Sequence, residues 1–520
     1  MKKKYISLVA AAYIMLGSCT GDLDQQPIIG TTADIVYSSV EGYRSVLAKI
    51  YSSYSLIGAE RGGGSADISS ENGQDMLRVL FNMQELPTDE AAYKYQSGDN
   101  LTNISQINWD ATDIWVSDAY YRLYYIISLS NELLRYCGED RIAGFDANTQ
   151  SEIRTYALEA RFMRALTYSY VLDLFGKGPH VDENTPMTAY IPEAYNGTQL
   201  YDYIMSEIND IAPELPATPS YARAGQGAAW ALAARVALNG EVYTGQSHAT
   251  EAIDYCKKVM ALGYSLEPVY TKLFNADNDQ RTNEIIFAFA TDNANSATWG
   301  SATYIIAGSC PTNGEDQTAN YGIGTAWGSF TARGEFTSQF EEGDGRFLFV
   351  TKDQSQYFTG SMDAADMGYW SCKWTNLTDE GEQGCPTDIG VTTDFPIFRL
   401  AEVYLTAAEA VLRGGTGMSR TEALDLVNEV RVRAFGDDAG KISDAQFNLN
   451  FMISERAREL YHELHRRTDL VRFGMFTSSS YIWQWKGGVI DGRAVNERYN
   501  IYPIPLTELS ANPNLKNELY

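Results

Sequence analysis

Basic residues are scarce in this chain of 520 residues. Its 40 Lys and Arg stand against 67 Asp and Glu, which gives a formal net charge of −27 at pH 7. Because the neutralisation of phosphates needs a basic surface, this balance excludes a general nucleic-acid binder. It also disfavours adhesion to anionic lipid through a polybasic patch. The charge fits a domain that stays soluble and is repelled by an anionic surface.

Cysteine is scarce as well, with six residues in the chain. Apart from Cys19 at the N-terminus, the cysteines are odd in number and widely spaced: Cys137, Cys256, Cys310, Cys372 and Cys385. This pattern excludes a disulfide framework, and the chain has no CxxC pair that would suggest zinc. One bridge, between Cys372 and Cys385, stays open if the compartment is oxidising.

Familiar catalytic motifs are missing. The chain has no GxSxG elbow or P-loop, and its Gly322-x-Gly324-x-x-x-Gly328 run has the wrong spacing for a dinucleotide site. His462 and His465 flank Glu463 three residues apart, whereas a zincin motif needs four with Glu directly after the first. The 67 acidic residues single out no glycosidase pair, so a hydrolase stays open as an alternative.

The apolar run at the N-terminus, from Ile6 to Leu16, is too short for a stable membrane span. Three lysines precede it, and Gly17 and Ser18 lead directly into Cys19. This order predicts a lipoprotein signal peptide over residues 1–18, with Cys19 as the lipidated first residue. Lipid chains there contribute about 0.8 kcal/mol per buried CH2 to a membrane anchor, while the body stays soluble. An ordinary signal peptide with an incidental cysteine is the alternative.

Aromatic residues, in contrast, are abundant: 9 Trp, 35 Tyr and 20 Phe. Tyrosine combines a flat apolar face with a hydroxyl at its tip, so an excess suits a wet binding surface as well as a core. Most tyrosines fall in segments with helical periodicity, where we expect them to pack. A smaller set falls in loop-rich segments and is the candidate binding set.

Helical periodicity predicts a mostly α fold. The helical segments that we predict are 33–56, 113–136, 151–175, 200–211, 227–243, 248–262, 398–412 and 419–434. Two alanine-rich helix pairs, near 227–262 and 398–434, have the length and small-residue spacing of tetratricopeptide units. A generic helical bundle is the alternative at this point.

The remaining segments are rich in loops. Residues 264–395 hold short β-type runs, such as 284–290 and 302–306, between Gly, Asn and Asp, and residues 58–110 are similar. Long irregular insertions in a helical scaffold are more often functional surface than core. We therefore predict a lipidated tether over 19–32 and one domain over 33–520. Its parts are an N-terminal helical part (33–263) with a binding loop (58–110), a loop-rich insertion (264–395) and a C-terminal part (396–520).

Several ordered motifs together resemble the SusD/RagB family of surface nutrient-binding lipoproteins of Bacteroidetes. Besides the N-terminal cysteine and tether, the matching segments are EARFxRAxxYxxxxDLFGxxP (159–179), FRLAEVYLxxAEA (398–410), ERxREL (455–460), RxDLxRFG (467–474) and YPIPxxELxxNP (502–513). They span nearly the whole mature chain. The resemblance assigns the charged run 455–472 to the scaffold, where Arg/Glu pairs would lock a helix.

The resemblance implies a fold and a partner. The fold is a scaffold of about four tetratricopeptide-like helical hairpins that supports a loop-rich, partly β face. The partner is a SusC-like TonB-dependent barrel transporter in the outer membrane, which a lipid-anchored, non-enzymatic protein caps at the cell exterior. The ligand is an oligosaccharide or polysaccharide, or a peptide, as the RagB side of the family implies. No cofactor is required.

A closer similarity points to the starch-binding branch of the family. It rests on RVLFNMQELPTDEA (78–91) and YYRLY (120–124), and it suggests an α-glucan ligand. One departure is that Tyr95 stands where a tryptophan platform is expected. A second is that Gly98, Asp99 or Asn100 must replace a nearby amide contact.

Sugar rings offer C–H patches on their faces and hydroxyls around their rim, so a flat aromatic with fixed polar groups beside it forms a workable site. We predict that Arg78 is a rigid fork to two hydroxyls, unless it pairs with Glu85 or Asp89. The candidate platforms all lie in loop-rich segments: Tyr95, Trp299, Tyr304, Tyr321 and Trp327. Packing beneath a long loop is the alternative for each of them.

One further group of residues could bind a structural Ca2+. Asp277, Asp279 and Gln280 lie in one turn, and Asp437 lies in another loop. Their oxygens are the hard ligands that Ca2+ prefers, although no EF-hand spacing is present. Solvated acidic turns are the alternative.

Overall fold

The structure is a computed structural model that describes residues 32–68, 74–96, 98–188, 190–312, 316–385 and 390–520. The predicted signal peptide and the lipidation site Cys19 lie outside the described residues. Contacts divide the chain after residue 45, and the core and sites described below lie in residues 46–520. Among the helices in the described residues, none is both long enough and apolar enough to span a bilayer.

The N-terminal half is helical, as predicted. Its helices are α1 (Ala33–Val36), α2 (Val40–Ser52), α3 (Met76–Gln84), α4 (Thr102–Ser105), α5 (Ile114–Tyr136), α6 (Glu139–Ile142), α7 (Ala147–Phe175), α8 (Gly197–Ile211), α9 (Gln226–Leu238), α10 (Gly240–Thr244) and α11 (Ala249–Met260). Side chains of Asp113 and Asp146 cap α5 and α7. Gly176, at φ 67°, ends α7 where the sequence predicts a stop.

The loop-rich insertion contains short elements. Its helices are α12 (Asn293–Ser296), α13 (Ser301–Ser309), α14 (Gln317–Tyr321) and α15 (Gly334–Thr337), and its 3-10 turns include Tyr270–Phe274 and Asn278–Gln280. The β-type prediction for 302–306 is wrong, because these residues belong to α13. Every residue of α13 is buried, so its sequence shows neither the helical nor the strand period and tertiary packing decides its form.

Strands in the described residues pair antiparallel in twos. They are β1 (Ala92–Tyr93), β2 (Gly178–Pro179), β3 (Ala194–Tyr195), β4 (Ile285–Phe289), β5 (Phe330–Thr331), β6 (Phe349–Val350), β7 (Trp370–Ser371) and β8 (Phe395–Arg399). β4 confirms the β-type prediction for 284–290 and pairs with β8, which leads into the C-terminal helices. The pair β1–β5 joins the predicted binding loop to the insertion.

The C-terminal part returns to helices. They are α16 (Leu400–Leu412), α17 (Arg420–Phe435), α18 (Leu449–Leu460), α19 (Arg466–Arg472) and α20 (Leu506–Ala511), with 3-10 turns at Asp438–Gly440, Lys486–Gly488 and Glu497–Asn500. α9 packs against α11, α11 against α16, and α16 against α17. Buried alanines on α9 and α16 let these helices approach closely. The mostly α prediction is confirmed, whereas the tetratricopeptide identity of the pairs stays a prediction.

The charged run 455–472 belongs to the scaffold, as the resemblance implied. Glu455 and Glu459 of α18 are fully buried and bind arginines from several segments. Glu455 contacts Arg346 at 2.7 Å and Arg431 at 2.8 Å, and Glu459 contacts Arg399 at 2.5 Å. These ion pairs join the insertion, β8, α17 and α18 into one buried network.

The five cysteines of the described residues form no disulfide bond with one another. The bridge between Cys372 and Cys385 that the sequence left open is therefore not formed. Burial raises the pKa of Cys137 to about 12 and that of Cys256 above its ordinary value. Both thiols are therefore unreactive at neutral pH.

Two buried carboxyl groups follow α3 and face the loop that joins α18 to α19. Glu85 Oε1 accepts the backbone N–H of His465 at 3.1 Å, and Glu90 Oε2 accepts that of His462 at 2.9 Å. Burial raises the pKa of Glu85 to about 7 and that of Glu90 well above its ordinary value. The two carboxyl groups therefore retain at least one proton at neutral pH.

Replacing Glu85 with Gln should make stability less sensitive to rising pH. A carboxyl whose pKa is raised on folding stabilises fully below its unfolded pKa of about 4.3 and loses that contribution as pH rises through the folded pKa. For Glu85 the loss of stability begins near the unfolded pKa of about 4.3 and is complete just above the folded pKa of about 7. Urea titrations between about pH 5 and pH 8 should therefore show the stability of Glu85→Gln rising relative to wild type.

Apart from Glu90, the charged and titratable neighbours of Glu85 keep one charge state in the folded protein over this pH range. Asp89 and Arg466 pair at 2.7 Å beside the two glutamates, with the pKa of Asp89 lowered and that of Arg466 raised. Burial lowers the pKa of His462 to about 3 and also lowers that of His465, so both rings are neutral. A stability difference that stays constant across this pH range would contradict the raised pKa of Glu85.

Candidate functional site

The site forms where the binding loop meets the insertion. Tyr93 of β1 lies opposite Phe330 of β5, and the N–H of Lys94 donates to the carbonyl of Ser329 at 2.7 Å. The N–H of Trp327 donates to the carbonyl of Ala307 in α13, also at 2.7 Å. These backbone bonds bring residues around 95, 307 and 327 to one edge of the structure.

Three of the predicted aromatic residues lie together at this edge: Tyr95, Trp299 and Trp327. The ring centroids of Trp299 and Trp327 are 6.1 Å apart with planes tilted by 48°. The hydroxyl of Tyr95 donates to the backbone carbonyl of Trp327. Tyr95 is 46% exposed and Trp299 36% exposed, and Trp327 is half-buried. We call these three residues the aromatic platform.

The other two predicted platforms need correction, because a ligand cannot stack on a buried ring. Tyr304 is 1% exposed and lies beneath the platform, with its ring centroid 6.3 Å from that of Trp327. Tyr321 is 3% exposed and is the last residue of α14. For both residues the alternative of packing beneath a loop is the correct one.

Arg78 lies on α3 beside the platform, with its side chain mostly buried. Its guanidinium stacks 4.2 Å from the ring centroid of Tyr304, Nη1 donates to Gln74 at 3.0 Å and Nη2 donates to Asp99 at 3.1 Å. Its ionic partner is therefore neither Glu85 nor Asp89. Each terminal nitrogen carries two hydrogens, so one on each is left for a ligand hydroxyl after these bonds.

Asp99 and Asn100 complete the polar side of the site. Both are exposed and adopt left-handed backbone angles, at φ 49° and 55°. The Asp99 carboxylate accepts a hydrogen bond from the Tyr93 hydroxyl at 2.7 Å. The backbone carbonyl of Asp99 accepts one from Nε1–H of Trp115 at 2.6 Å. Asp and Asn tolerate this conformation better than most residues. The loop therefore holds the Asp99 carboxylate in a fixed position beside Arg78, with Asn100 next to it in the chain.

Asp75 is a positioning residue that sequence reasoning missed. Its Oδ1 accepts the N–H of Arg78 at 3.0 Å, and this bond caps α3. The same oxygen accepts the N–H of Ser301, the first residue of α13, at 3.1 Å. A Cβ on Gly300 would lie 1.2 Å from Asp75 Oδ2, so only glycine fits there. Asp75 thus fixes Trp299, next to Gly300, relative to Arg78. The cap was recognisable in the sequence, but the bond to Ser301 was not.

Replacing Asp75 with Ala should weaken ligand binding by roughly tenfold, because misplacement of positioning groups is costly even away from the contacts. The lost cap itself costs about 1 kcal/mol of stability. Isothermal titration with the glycan that the protein binds measures the first effect, and a urea titration measures the second.

Asp146→Ala is the matched control. It removes an exposed N-cap, on α7, that bonds the N–H groups of Asn148 and Thr149. We expect a similar loss of stability with unchanged affinity. If Asp75→Ala binds as well as Asp146→Ala, the positioning role fails.

The predicted calcium ligands do not form a cluster. Within the described ranges, no three His, Cys, Asp or Glu side chains are grouped to hold a metal ion, and this includes Asp277, Asp279 and Asp437. The Asp277 carboxylate accepts the N–H of Asp379 at 2.7 Å, and that of Asp437 accepts the N–H of Ala439 at 2.8 Å. Gln280 ends the 3-10 turn that follows Asp277. Calcium therefore stays a prediction, which a melting temperature insensitive to EDTA would dismiss.

Sequence relatives cover the whole chain. A profile described as the SusD family matches residues 270–520. The starch-binding protein SusD of Bacteroides thetaiotaomicron is 32% identical over 584 aligned positions, which cover 100% of both chains. The SusD-like protein P25 of Formosa agariphila is 22% identical over 98% of this chain and 96% of its own.

Solved structures share the fold. Surface glycan-binding protein A of Bacteroides thetaiotaomicron, solved in complex with laminarihexaose, has a TM-score of 0.70 at 17% identity, covering 92% of this chain and 99% of that chain. A SusD superfamily protein of Parabacteroides distasonis has a TM-score of 0.71 at 21% identity, with coverage of 92% and 99%. Together with the full-length sequence match, these similarities show that the chain belongs to the SusD family.

Proposed function

We propose that this protein is a non-enzymatic lipoprotein at the cell exterior that captures an oligosaccharide or polysaccharide on the aromatic platform. The observation that carries the proposal is the juxtaposition of three partly exposed aromatic rings with the paired polar groups of Arg78 and Asp99 and the neighbouring, exposed Asn100. The rings would stack on the C–H faces of sugars. The polar groups would bind hydroxyls at their rim.

The ligand that we propose is a starch-type α-glucan. The relative named as starch-binding is 32% identical over the whole chain, whereas the neighbour solved with laminarihexaose shares 17%. The charges at the site also favour a neutral ligand, because Asp99 already compensates the guanidinium of Arg78 beside the platform. An acidic glycan would lack a free cation there and would meet the Asp99 carboxylate.

Delivery to a SusC-like TonB-dependent transporter completes the proposal. Family membership supports it, and lipidation of Cys19 would keep the domain at the outer membrane near such a barrel. A surface glycoside hydrolase is the rival from another class. Hydrolysis needs two carboxylates that flank the bond to be cleaved. Asp99 is engaged by Arg78 and Tyr93, and Asp75 is fully buried, so neither is placed for that role.

Affinity electrophoresis tests the proposal. The purified protein runs in native gels that contain amylopectin, laminarin or no glycan, and we expect amylopectin to retard it most. A reducing-sugar assay on the same mixtures should stay at background. Reducing-sugar release would favour the hydrolase. If no glycan in a wider panel retarded the protein and peptides bound to it, a RagB-like peptide-binding protein would be favoured.

A further inference from the structure

A second groove lies away from the platform and shares none of its residues. It has a volume of 330 Å3 and is walled by the loop 217–223 after α8 and by the turn 262–264 after α11. Thr282 and Asn283 form a third side, and the first residues of β4 form an apolar floor. Its volume is at the lower end of the roughly 300–1,000 Å3 that small-molecule sites occupy.

Two tyrosines line this groove, Tyr221 and Tyr264. Within the described residues, neither ring contacts another aromatic ring or stacks with a cation, in contrast to most aromatic residues of the core. Tyr264 is half-buried and lies against Gly227. A Cβ on residue 227 would lie 2.7 Å from the hydroxyl oxygen of Tyr264. The absence of a side chain at Gly227 thus makes room for the ring.

The wall that carries Tyr221 is held in place before any ligand arrives. The Tyr221 hydroxyl donates to Asp394 at 2.6 Å, and the N–H of Ala224 donates to the hydroxyl of Tyr51 at 3.0 Å. Ala222 adopts φ 59°, a conformation that costs energy for a residue other than glycine. Binding to such a preformed wall loses little conformational entropy.

The polar groups of the groove indicate a neutral, hydroxyl-rich ligand. The guanidinium among its lining residues is that of Arg223, and it is paired with the Glu159 carboxylate. Its Nε–H donates to one carboxylate oxygen at 2.6 Å, and its Nη2–H donates to the other. Because this charge is already compensated, a phosphate or carboxylate ligand would find no free cation. The side chains of Ser220, Thr282 and Asn283 offer hydroxyl and amide groups that suit sugar hydroxyls.

From these features we infer that the groove is a second, independent binding subsite for a neutral glycan, with Tyr264 as its stacking surface. The inference rests on the proposed function, since the same polysaccharide would contact both sites. A polymer held at two sites on one protein dissociates much more slowly than from either alone. The second subsite would therefore matter for a polysaccharide and little for a short oligosaccharide at the platform.

The test uses Tyr264→Ala and two controls. Tyr264→Phe keeps the ring, and Tyr190→Ala removes an exposed tyrosine outside both sites. We expect Tyr264→Ala to weaken retardation in amylopectin gels by about tenfold. Tyr264→Phe and Tyr190→Ala should behave as wild type. Ser220→Trp, which fills the groove from an exposed loop position, should reproduce the loss without removing a packed side chain.

Calorimetry with maltoheptaose separates this inference from the proposed function. Wild type should bind two equivalents, Tyr264→Ala one, and a variant lacking both Trp299 and Trp327 also one. A wild-type stoichiometry of one, with amylopectin retardation unchanged in Tyr264→Ala and Ser220→Trp, would overturn the groove and leave the platform intact. Failure of wild type to bind any glycan would overturn both.

Discussion

Replacing Glu459 with Gln should lower the free energy of unfolding by about 3–5 kcal/mol. Glu459 is fully buried, and its carboxylate lies 3.1 Å from Arg346 and 2.5 Å from both Arg399 and Arg433. Glutamine keeps the shape of the side chain but removes its charge. Three guanidinium groups then lose a shared counter-ion where water cannot replace it, so the cost is that of uncompensated buried charge.

The position of Glu459 explains why this loss matters for the binding face. Arg346 belongs to the loop-rich insertion, Arg399 ends β8 and Arg433 lies on α17. Arg399 also contacts Glu284, which directly precedes β4 within the insertion, at 3.1 Å. One carboxylate of α18 thus joins the insertion to the helical scaffold.

Urea titration measures the change, and its pH dependence identifies the cause. Burial alone would raise the pKa of Glu459, but the guanidinium groups of Arg433, Arg399 and Arg346 hold it at about 2. Its stabilising contribution is present above an unfolded pKa of about 4.3 and is lost as pH falls through the folded value. The deficit of Glu459→Gln should therefore shrink in acid.

Glu342→Gln is the matched control, because this residue is an exposed glutamate of the insertion. We expect its stability to stay within about 0.5 kcal/mol of wild type. A deficit of less than about 1 kcal/mol for Glu459→Gln at neutral pH would contradict the account of the network.

The second large effect concerns binding: replacing Trp327 with Ala should raise the Kd for maltoheptaose at the platform by about 30-fold or more. Loss of a central aromatic contact in a binding site costs about 2 kcal/mol, which corresponds to that factor. Trp299 also loses its ring neighbour at 6.1 Å, so the remaining platform is less well defined.

The substitution is clean because the main-chain contacts of Trp327 do not depend on its ring. Its N–H donates to Ala307, and its carbonyl accepts the Tyr95 hydroxyl. Trp327→Phe, which keeps a smaller flat face, should lose less affinity. Tyr190→Ala should lose none. Unchanged affinity of Trp327→Ala in calorimetry, with an unchanged melting temperature, would remove Trp327 from the site.

Local signals in the sequence predicted the scaffold well. The predicted helix 151–175 ends at Gly176, as α7 does, and the predicted helix 419–434 matches α17, whose N-cap Ser419 forms a capping box with Glu422. α13 was misread as β-type because residues buried on every side show no period. Helix ends depend on nearby residues, whereas the form of a buried run depends on distant ones.

The site was predicted in part for the same reason. Residue type and loop position were enough to select Tyr95, Trp299 and Trp327, which the structure brings together. They could not show that the Tyr304 ring is covered. Nor could they find the bond from Asp75 to Ser301, because it joins residues 226 positions apart.

A crystal structure of the protein with maltoheptaose would show directly whether the aromatic platform holds the glycan. We expect glucose rings stacked on Tyr95, Trp299 and Trp327, with hydroxyls bonded to Arg78 and to Asp99 or Asn100. A ligand bound only elsewhere on the surface, with the platform empty at saturating concentration, would contradict this expectation.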